Sequence, residues 1–311
     1  MNRIGVVGGQ GQLGRALLRS LGEAGVGWGR HELDVTDSMS VAQKLRLSQV
    51  DGVINAAAFT RVDDAEDEIE AAVAINGLGA WNVAQTCHDL NIPLIYLSTD
   101  YVFGRDEGRR RPYGESDAAG PINVYGATKL YGEQLVQLAA PRSFVVRTCG
   151  LYGTPMTPGT GNFVEAICRK ALAGEPLQVV GDQRCTPTSV ADLGPALIQL
   201  LQTDRYGLHH LTSSGDCTWF EFASAIVAHL GIDVPLTQVT SQEFVRRAKR
   251  PAYSVLDCSG IASQCGLTLP HWAESVAHYL SDRAIGLKGR PSSAPRGYSQ
   301  GESDMGSGGT A

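Results

Sequence analysis

The chain has 311 residues, 43% of them hydrophobic and 19% charged, enough for one large α/β unit or two modest domains. A formal net charge of −6 argues against nucleic acid as a main partner, and no apolar run approaches the ~20 residues of a membrane span. Seven scattered cysteines without a Cys-x-x-Cys, and seven histidines without a His-x-x-x-His spacing, fit reduced thiols in a cytoplasm better than disulfides or zinc. No basic segment with an apolar core and cleavage site opens the chain, so a cytoplasmic protein is expected.

Residues 3–8 are predicted to form a short apolar strand that ends in Gly8-Gly9-Gln10-Gly11-Gln12-Leu13-Gly14. Leu13, Ala16, Leu17, Leu18 and Leu21 then continue at helical period. Gly8, Gly11 and Gly14 suit a dinucleotide turn. One permits the tight turn, one lets backbone reach a pyrophosphate, and one lets helix pack on strand. Val26 to His31 reads as the second strand and its exit. Arg30 at that exit favours a cofactor carrying a 2′-phosphate, NADPH, with NADH as the alternative; an exposed surface arginine is the other reading. Asp34-Val35-Thr36-Asp37 looks like an adenine-side loop leading to a helix N-cap.

Residues 50–55 are the next predicted strand. Ala56, Ala57 and Ala58 follow, small enough to leave room for a cofactor or to pack tightly. A helix is expected over 68–90. Asn76 lies inside it, an awkward place unless its amide meets a specific partner. Residues 93–98 form the fourth predicted strand, which runs into Ser98-Thr99-Asp100-Tyr101-Val102-Phe103. A loop over 104–120 carries Arg109-Arg110-Arg111, read as a solvated run. The next helix runs from about 124 to 140 and puts Tyr125 and Lys129 four apart on one face. A free tyrosine, with a pKa of about 10, handles protons poorly at neutral pH. A nearby ammonium is expected to lower that value, and Thr99 can add a hydroxyl to the same substrate oxygen. A carbonyl held in this way needs only a hydride donor to be reduced.

A fifth strand at 143–147 completes an alternation that predicts a doubly wound parallel sheet. Beyond 150 the pattern loosens. It gives a loop over 152–163, helices at 163–173, 190–201, 219–230 and 271–280, and strands at 177–180 and 207–211. The expected plan is an α/β chain, a Rossmann-type doubly wound sheet over 1–150 to which 176–202 returns. A smaller C-terminal substrate domain would lie within 151–285, and a disordered tail would follow over 286–311.

With the glycine turn and the Tyr125/Lys129 pair together, the chain resembles the extended short-chain dehydrogenase/reductase family. Several strings are similar to its dTDP-4-dehydrorhamnose reductases: Asn55-Ala-Ala-Ala-Phe-Thr60-Arg-Val62-Asp63-Asp-Ala65-Glu66, Ser98 to Phe103, Pro121-x-x-x-Tyr125-Gly-x-Thr-Lys129, Gly161-Asn-Phe, Pro187-Thr and Arg250-Pro-x-x-Ser-x-Leu-Asp257. The resemblance spans about residues 3–282. It implies NADPH-dependent reduction of a nucleotide-linked 4-keto sugar to dTDP-L-rhamnose for polysaccharide biosynthesis. It also implies a small-molecule nucleotide-sugar partner.

By the same resemblance Thr99, Tyr125 and Lys129 are the catalytic trio, and Tyr125 and Lys129 also touch the cofactor. Gly11, Gln12 and Leu13 would line its pyrophosphate, Asp34 and Val35 its adenine. Ala58, Phe59, Thr60 and Leu97 would border it; Val62, Asp100 and Tyr101 would meet the sugar. Two departures stand out. Gly150 occupies a position where the family often has an aromatic residue, which leaves the exact sugar open. Ala16 replaces a glutamate that some members use in a magnesium-bridged dimer, so no metal is carried over; a homodimer remains one open outcome. Two other readings stay open. One is a different sugar-nucleotide reductase or epimerase of the superfamily. The other is a non-catalytic regulator like the methionine adenosyltransferase β subunit.

Overall fold

A computed structural model describes residues 1–154 and 161–288. In its first half, strand and helix alternate: β1 (Ile4–Val7), α1 (Gln12–Leu21), β2 (Gly25–Trp28), α2 (Ser38–Ser48), β3 (Gly52–Asn55), α3 (Ile69–Val73), α4 (Gly79–Asp89), β4 (Leu94–Thr99), α5 (Val124–Ala139) and β5 (Ser143–Thr148). The second half holds β6 (Leu151–Tyr152), α6 (Phe163–Leu172), β7 (Leu177–Val180), β8 (Arg184–Cys185), β9 (Thr188–Ser189), α7 (Val190–Leu201), β10 (Gly207–His210), β11 (Cys217–Thr218), α8 (Trp219–Leu230), β12 (Leu236–Val239), α9 (Ser259–Cys265) and α10 (Trp272–Lys288).

The central sheet has six strands in the order β10-β5-β4-β3-β1-β2, and every pairing in it is parallel. This is the Rossmann-like α/β architecture expected. The chain winds outward from β1 to β2, then crosses back to β3, so the switch in direction opens a crevice beyond the ends of β1 and β3. Side chains alternate along the strands. Ile4, Val6, Ile54, Ile95, Leu97, Phe144 and Val146 bury on the face that α1 and α7 cover. Val53, Leu94, Tyr96 and Val145 bury on the other, against Leu45, Val83 and Val136 of α2, α4 and α5. Strands apolar on both faces are what a sheet covered on both sides requires.

α3 and α4 are one helical run joined by a single widened π-type turn over Ala74–Leu78. Asn76 sits in that turn and explains it. Its Oδ1 accepts from Phe59 N–H at 2.8 Å and its Nδ2 donates to Thr128 Oγ1 at 3.0 Å, while its carbonyl accepts from the Tyr96 hydroxyl at 2.8 Å. The extra residue lets one amide tie the segment after β3 to α5.

The second lobe has its own core, including Val164, Ile167, Phe222, Ile226 and Val276. β7 pairs with β12 there, not with the central sheet. The stretch that returns to the sheet is thus α7, packed on α1, and β10, paired with β5. The 176–202 segment assigned from sequence starts too early. β12 was missed because its residues are mostly half-buried or exposed, and α9 because seven Ser- and Gly-containing residues make a weak pattern. Tyr152, assigned to a loop, pairs in β6 with β9. The last helix extends past 280 to Lys288, so the expected tail boundary at 286 falls inside it. The remaining tail, 289–311, and loop positions 155–160 lie outside the described residues.

Candidate active site

A cavity of about 630 Å³ opens beyond the C-terminal ends of β1, β3, β4 and β5. The glycine turn forms one wall. Gly8 has φ +79°, and a Cβ there would lie 2.7 Å from Ala57 N, so only glycine makes this turn. A Cβ on Gly14 would run into the Gly8 carbonyl, which is the helix-on-strand contact. At Gly11 an added Cβ would meet only Gly8 O, at 3.2 Å, so the backbone is bare toward the cavity. Gln12, Leu13 and Gly14 continue the wall at the N-terminus of α1.

The opposite wall carries Thr99, the last residue of β4, and Tyr125 and Lys129 on the first turns of α5. Asn123 caps that helix by accepting from Gly126 N–H at 2.7 Å. Gly126 lacks a Cβ that would otherwise strike the Tyr101 carbonyl, so α5 can press against the end of β4. Tyr125 and Thr99 line the cavity together, and the Thr99 side chain favours the ionised form of the phenol. Thr99 Oγ1 donates to Asp100 Oδ1 at 3.2 Å.

Burial dominates the electrostatics here. It pushes the Tyr125 phenol up to about 12, against the opposing pull of the Thr99 side chain. It drives the Lys129 ammonium down to about 7, although the Glu133 carboxylate resists. The expected lowering of Tyr125 by Lys129 does not arise: burial raises the phenol, and the opposing pull comes from Thr99. Lys129 is 1% exposed, and its Nζ lies 4.1 Å from the centre of the Tyr96 ring. Asp100, also buried, is raised to about 6 even though Ser254, Cys149 and Thr99 all donate to it.

Behind the trio a buried ion pair fixes α5 to the sheet. Arg147 Nε and Nη2 donate to the two Glu133 oxygens at 2.8 and 2.7 Å, and Ser98 adds a third donor. In front of it, Asp63 takes two hydrogen bonds from Arg250 at 2.6 and 2.8 Å and one from Ala248 N–H. Glu66 accepts from Val124 N–H at 2.9 Å. The acidic run after Val62 thus ties both lobes to the start of α5.

Of the sequence-derived site residues, Gly11, Gln12, Leu13, Gly14, Ala58, Thr60, Val62, Leu97, Thr99, Asp100, Tyr101, Tyr125 and Lys129 line this one cavity. Gly8 lies beneath it. Phe59 is turned into the core, its N–H on Asn76. Val35 is buried under β2 and α4, and Asp34 is engaged with Thr36. Arg30 stands exposed in the turn after β2; none of these four borders the cavity. Arg109 is not solvated: it pairs with Asp117 and lies 4.2 Å from the Tyr113 ring centre.

Sequence reading missed Gln10, Arg15, Thr148, Cys149, Leu151 and Trp219, which also line the cavity. Thr148 and Cys149 follow directly from the register, since Thr99 pairs with Thr148. Trp219 comes from the second lobe and carries no local signal of its place.

The fold and this constellation define a nicotinamide-dependent oxidoreductase of the short-chain dehydrogenase/reductase type. The chain belongs to the family described as RmlD substrate binding domain, whose model matches residues 1–285. It is 38% identical over 301 residues to a dTDP-4-dehydrorhamnose reductase of Streptomyces griseus, covering 94% of this chain and 97% of that one. It is 39% identical over 277 residues to a dTDP-4-keto-6-deoxy-D-glucose reductase of Streptomyces niveus, covering 87% and 94%. Among solved structures it is similar to the dTDP-4-dehydrorhamnose reductase of Bacillus anthracis in complex with NADP, with a TM-score of 0.86, 36% identity and coverage of 90% and 99%.

Proposed function

We propose that this protein is an NADPH-dependent reductase of the 4-keto group of dTDP-4-dehydro-L-rhamnose, making dTDP-L-rhamnose. The observation that carries the reading is that Thr99, Tyr125 and Lys129 line the same cavity as the bare Gly11 backbone. That bare backbone, at a helix N-terminus, fits a pyrophosphate. Gly11, Gln12 and Leu13 would hold it, and Lys129 would reach the ribose hydroxyls. When bound, the reduced nicotinamide supplies the hydride.

The chain's own groups do the rest. Thr99 and Tyr125 hold the substrate carbonyl oxygen between two hydroxyls. A phenol raised to about 12 is fully protonated at neutral pH, so Tyr125 is a donor, the form that a reduction needs. It gives its proton to the developing O4 alkoxide. Lys129, when charged, stabilises the phenolate left behind. Val62, Asp100 and Tyr101 border the place where the sugar would lie. Arg30, Asp34 and Val35 would serve the far end of the cofactor, with Arg30 giving the preference for its 2′-phosphate.

The Streptomyces niveus relative favours a second reading, reduction of the corresponding D-configured 4-keto sugar. Among the described residues no helix is long and apolar enough to cross a membrane. Seven free cysteines support a cytoplasmic setting. The test is NADPH oxidation with dTDP-4-dehydro-L-rhamnose and with dTDP-4-keto-6-deoxy-D-glucose, each repeated with NADH. Fastest turnover of the L-sugar with NADPH is expected. No turnover of either sugar would contradict the reading and favour a regulator that retains these residues.

A further inference from the structure

The cavity has a catalytic wall on the first lobe and an aromatic surface on the second that the proposed chemistry leaves unused. That surface is Trp219. It opens α8 behind a capping box, in which Thr218 N–H donates to Glu221 at 2.7 Å and Glu221 N–H donates to Thr218 Oγ1 at 3.1 Å. Its indole is braced by Phe163, with ring centres 4.7 Å apart, and by Phe222 at 6.2 Å. The six-membered edge of the ring reaches over Gly150. A Cβ at Gly150 would lie 3.3 Å from Trp219 Cη2 and 3.2 Å from Pro187 Cα, and Gly150 has φ +53°. A side chain at 150 would therefore be strained and would press on the indole; glycine leaves the space that the indole covers.

The position along the cavity is fixed by the neighbouring residue. Cys149 donates to the Asp100 carboxylate at 3.1 Å, and Asp100 accepts from Thr99. Trp219 thus borders the cavity at Gly150, next to the Cys149 that bonds Asp100. Beside the reacting end lies the sugar ring. A 6-deoxyhexose has a methyl group and a face of C–H bonds, which an indole covers well, while its hydroxyls suit Thr99 and Asp100.

We infer that Trp219 is a specificity-determining residue that takes the apolar face of the 6-deoxy ketosugar ring. This rests on the sugar-nucleotide reading above. The second lobe then contributes to recognition through a side chain anchored in its own core, and the Gly150 gap is the seat that lets it reach.

The test compares Trp219→Ala and Trp219→Phe with wild type in calorimetric binding of dTDP-L-rhamnose and of dTDP alone, with NADPH affinity as a control. Trp219→Ala should weaken dTDP-L-rhamnose by about 10- to 100-fold, the loss expected for one buried aromatic face, and leave dTDP and NADPH unchanged. Trp219→Phe should recover most of the loss. Equal weakening of dTDP, which would place the indole on the nucleotide, or no change in either, would overturn the inference. Because binding is measured without turnover, a wild-type enzyme that fails to reduce the ketosugar would count against the reaction and not against this contact.

Discussion

At the scale of single residues, the site is governed by desolvation. Lys129 is held near pH 7 by burial, so its charge changes within the working range of the enzyme. The charged form supports the phenolate of Tyr125. We therefore expect kcat/KM, which reports groups of the free enzyme, to fall as pH rises through about 7, and Lys129→Met to lose that limb while weakening NADPH. A pH–rate profile for both proteins checks it; an unchanged alkaline limb in the variant would assign the titration elsewhere. The trio was legible in the sequence because a four-residue spacing on one helix and a strand end are local facts. The balance of its pKa values was not, since burial depends on everything packed around it.

At the scale of elements, α5 is placed by a polar joint. The Glu133–Arg147 pair is 4% and 5% exposed at its side chains and couples the helix to β5, with Ser98 adding β4. Removing one partner leaves the other charge buried. Arg147→Met should lower unfolding free energy by about 3–5 kcal/mol in urea titrations, and a loss under about 1 kcal/mol would show that the pair carries little. Asn76 is the matching joint on the other side. Its oddity inside a helix was visible in sequence, but its partners Phe59, Tyr96 and Thr128 come from three other segments and were not. Elements with strong period, such as α8 and β7, were read at the correct residues. β12 and α9 escaped because an exposed strand and a seven-residue helix leave little pattern.

At the scale of the whole molecule, two lobes meet over the cavity through a few specific bonds. Arg250 holds Asp63 well below the ordinary carboxylate range, at about 2. A carboxyl depressed in the folded state adds stability above its ordinary pKa and loses it as pH falls toward the folded value, so this link is intact at neutral pH. Asp63→Asn should loosen the 246–250 segment beside Tyr101 and raise KM for the sugar nucleotide several-fold, with little change in NADPH affinity. Equal effects on both ligands in steady-state kinetics would mean that Asp63 serves the whole fold. The first lobe could be drawn from strand–helix alternation alone. The second was drawn only in part: α7 falls within the 176–202 stretch read as returning to the sheet, whereas β10 joins it from beyond that stretch.

The most direct test of the central claim is Tyr125→Phe measured in single turnover with NADPH and dTDP-4-dehydro-L-rhamnose. Removing the one proton donor at the carbonyl should slow hydride transfer by about 10²- to 10⁴-fold while NADPH binds as before. A variant that reduces the sugar at the wild-type rate would contradict the assignment of Tyr125 as the acid.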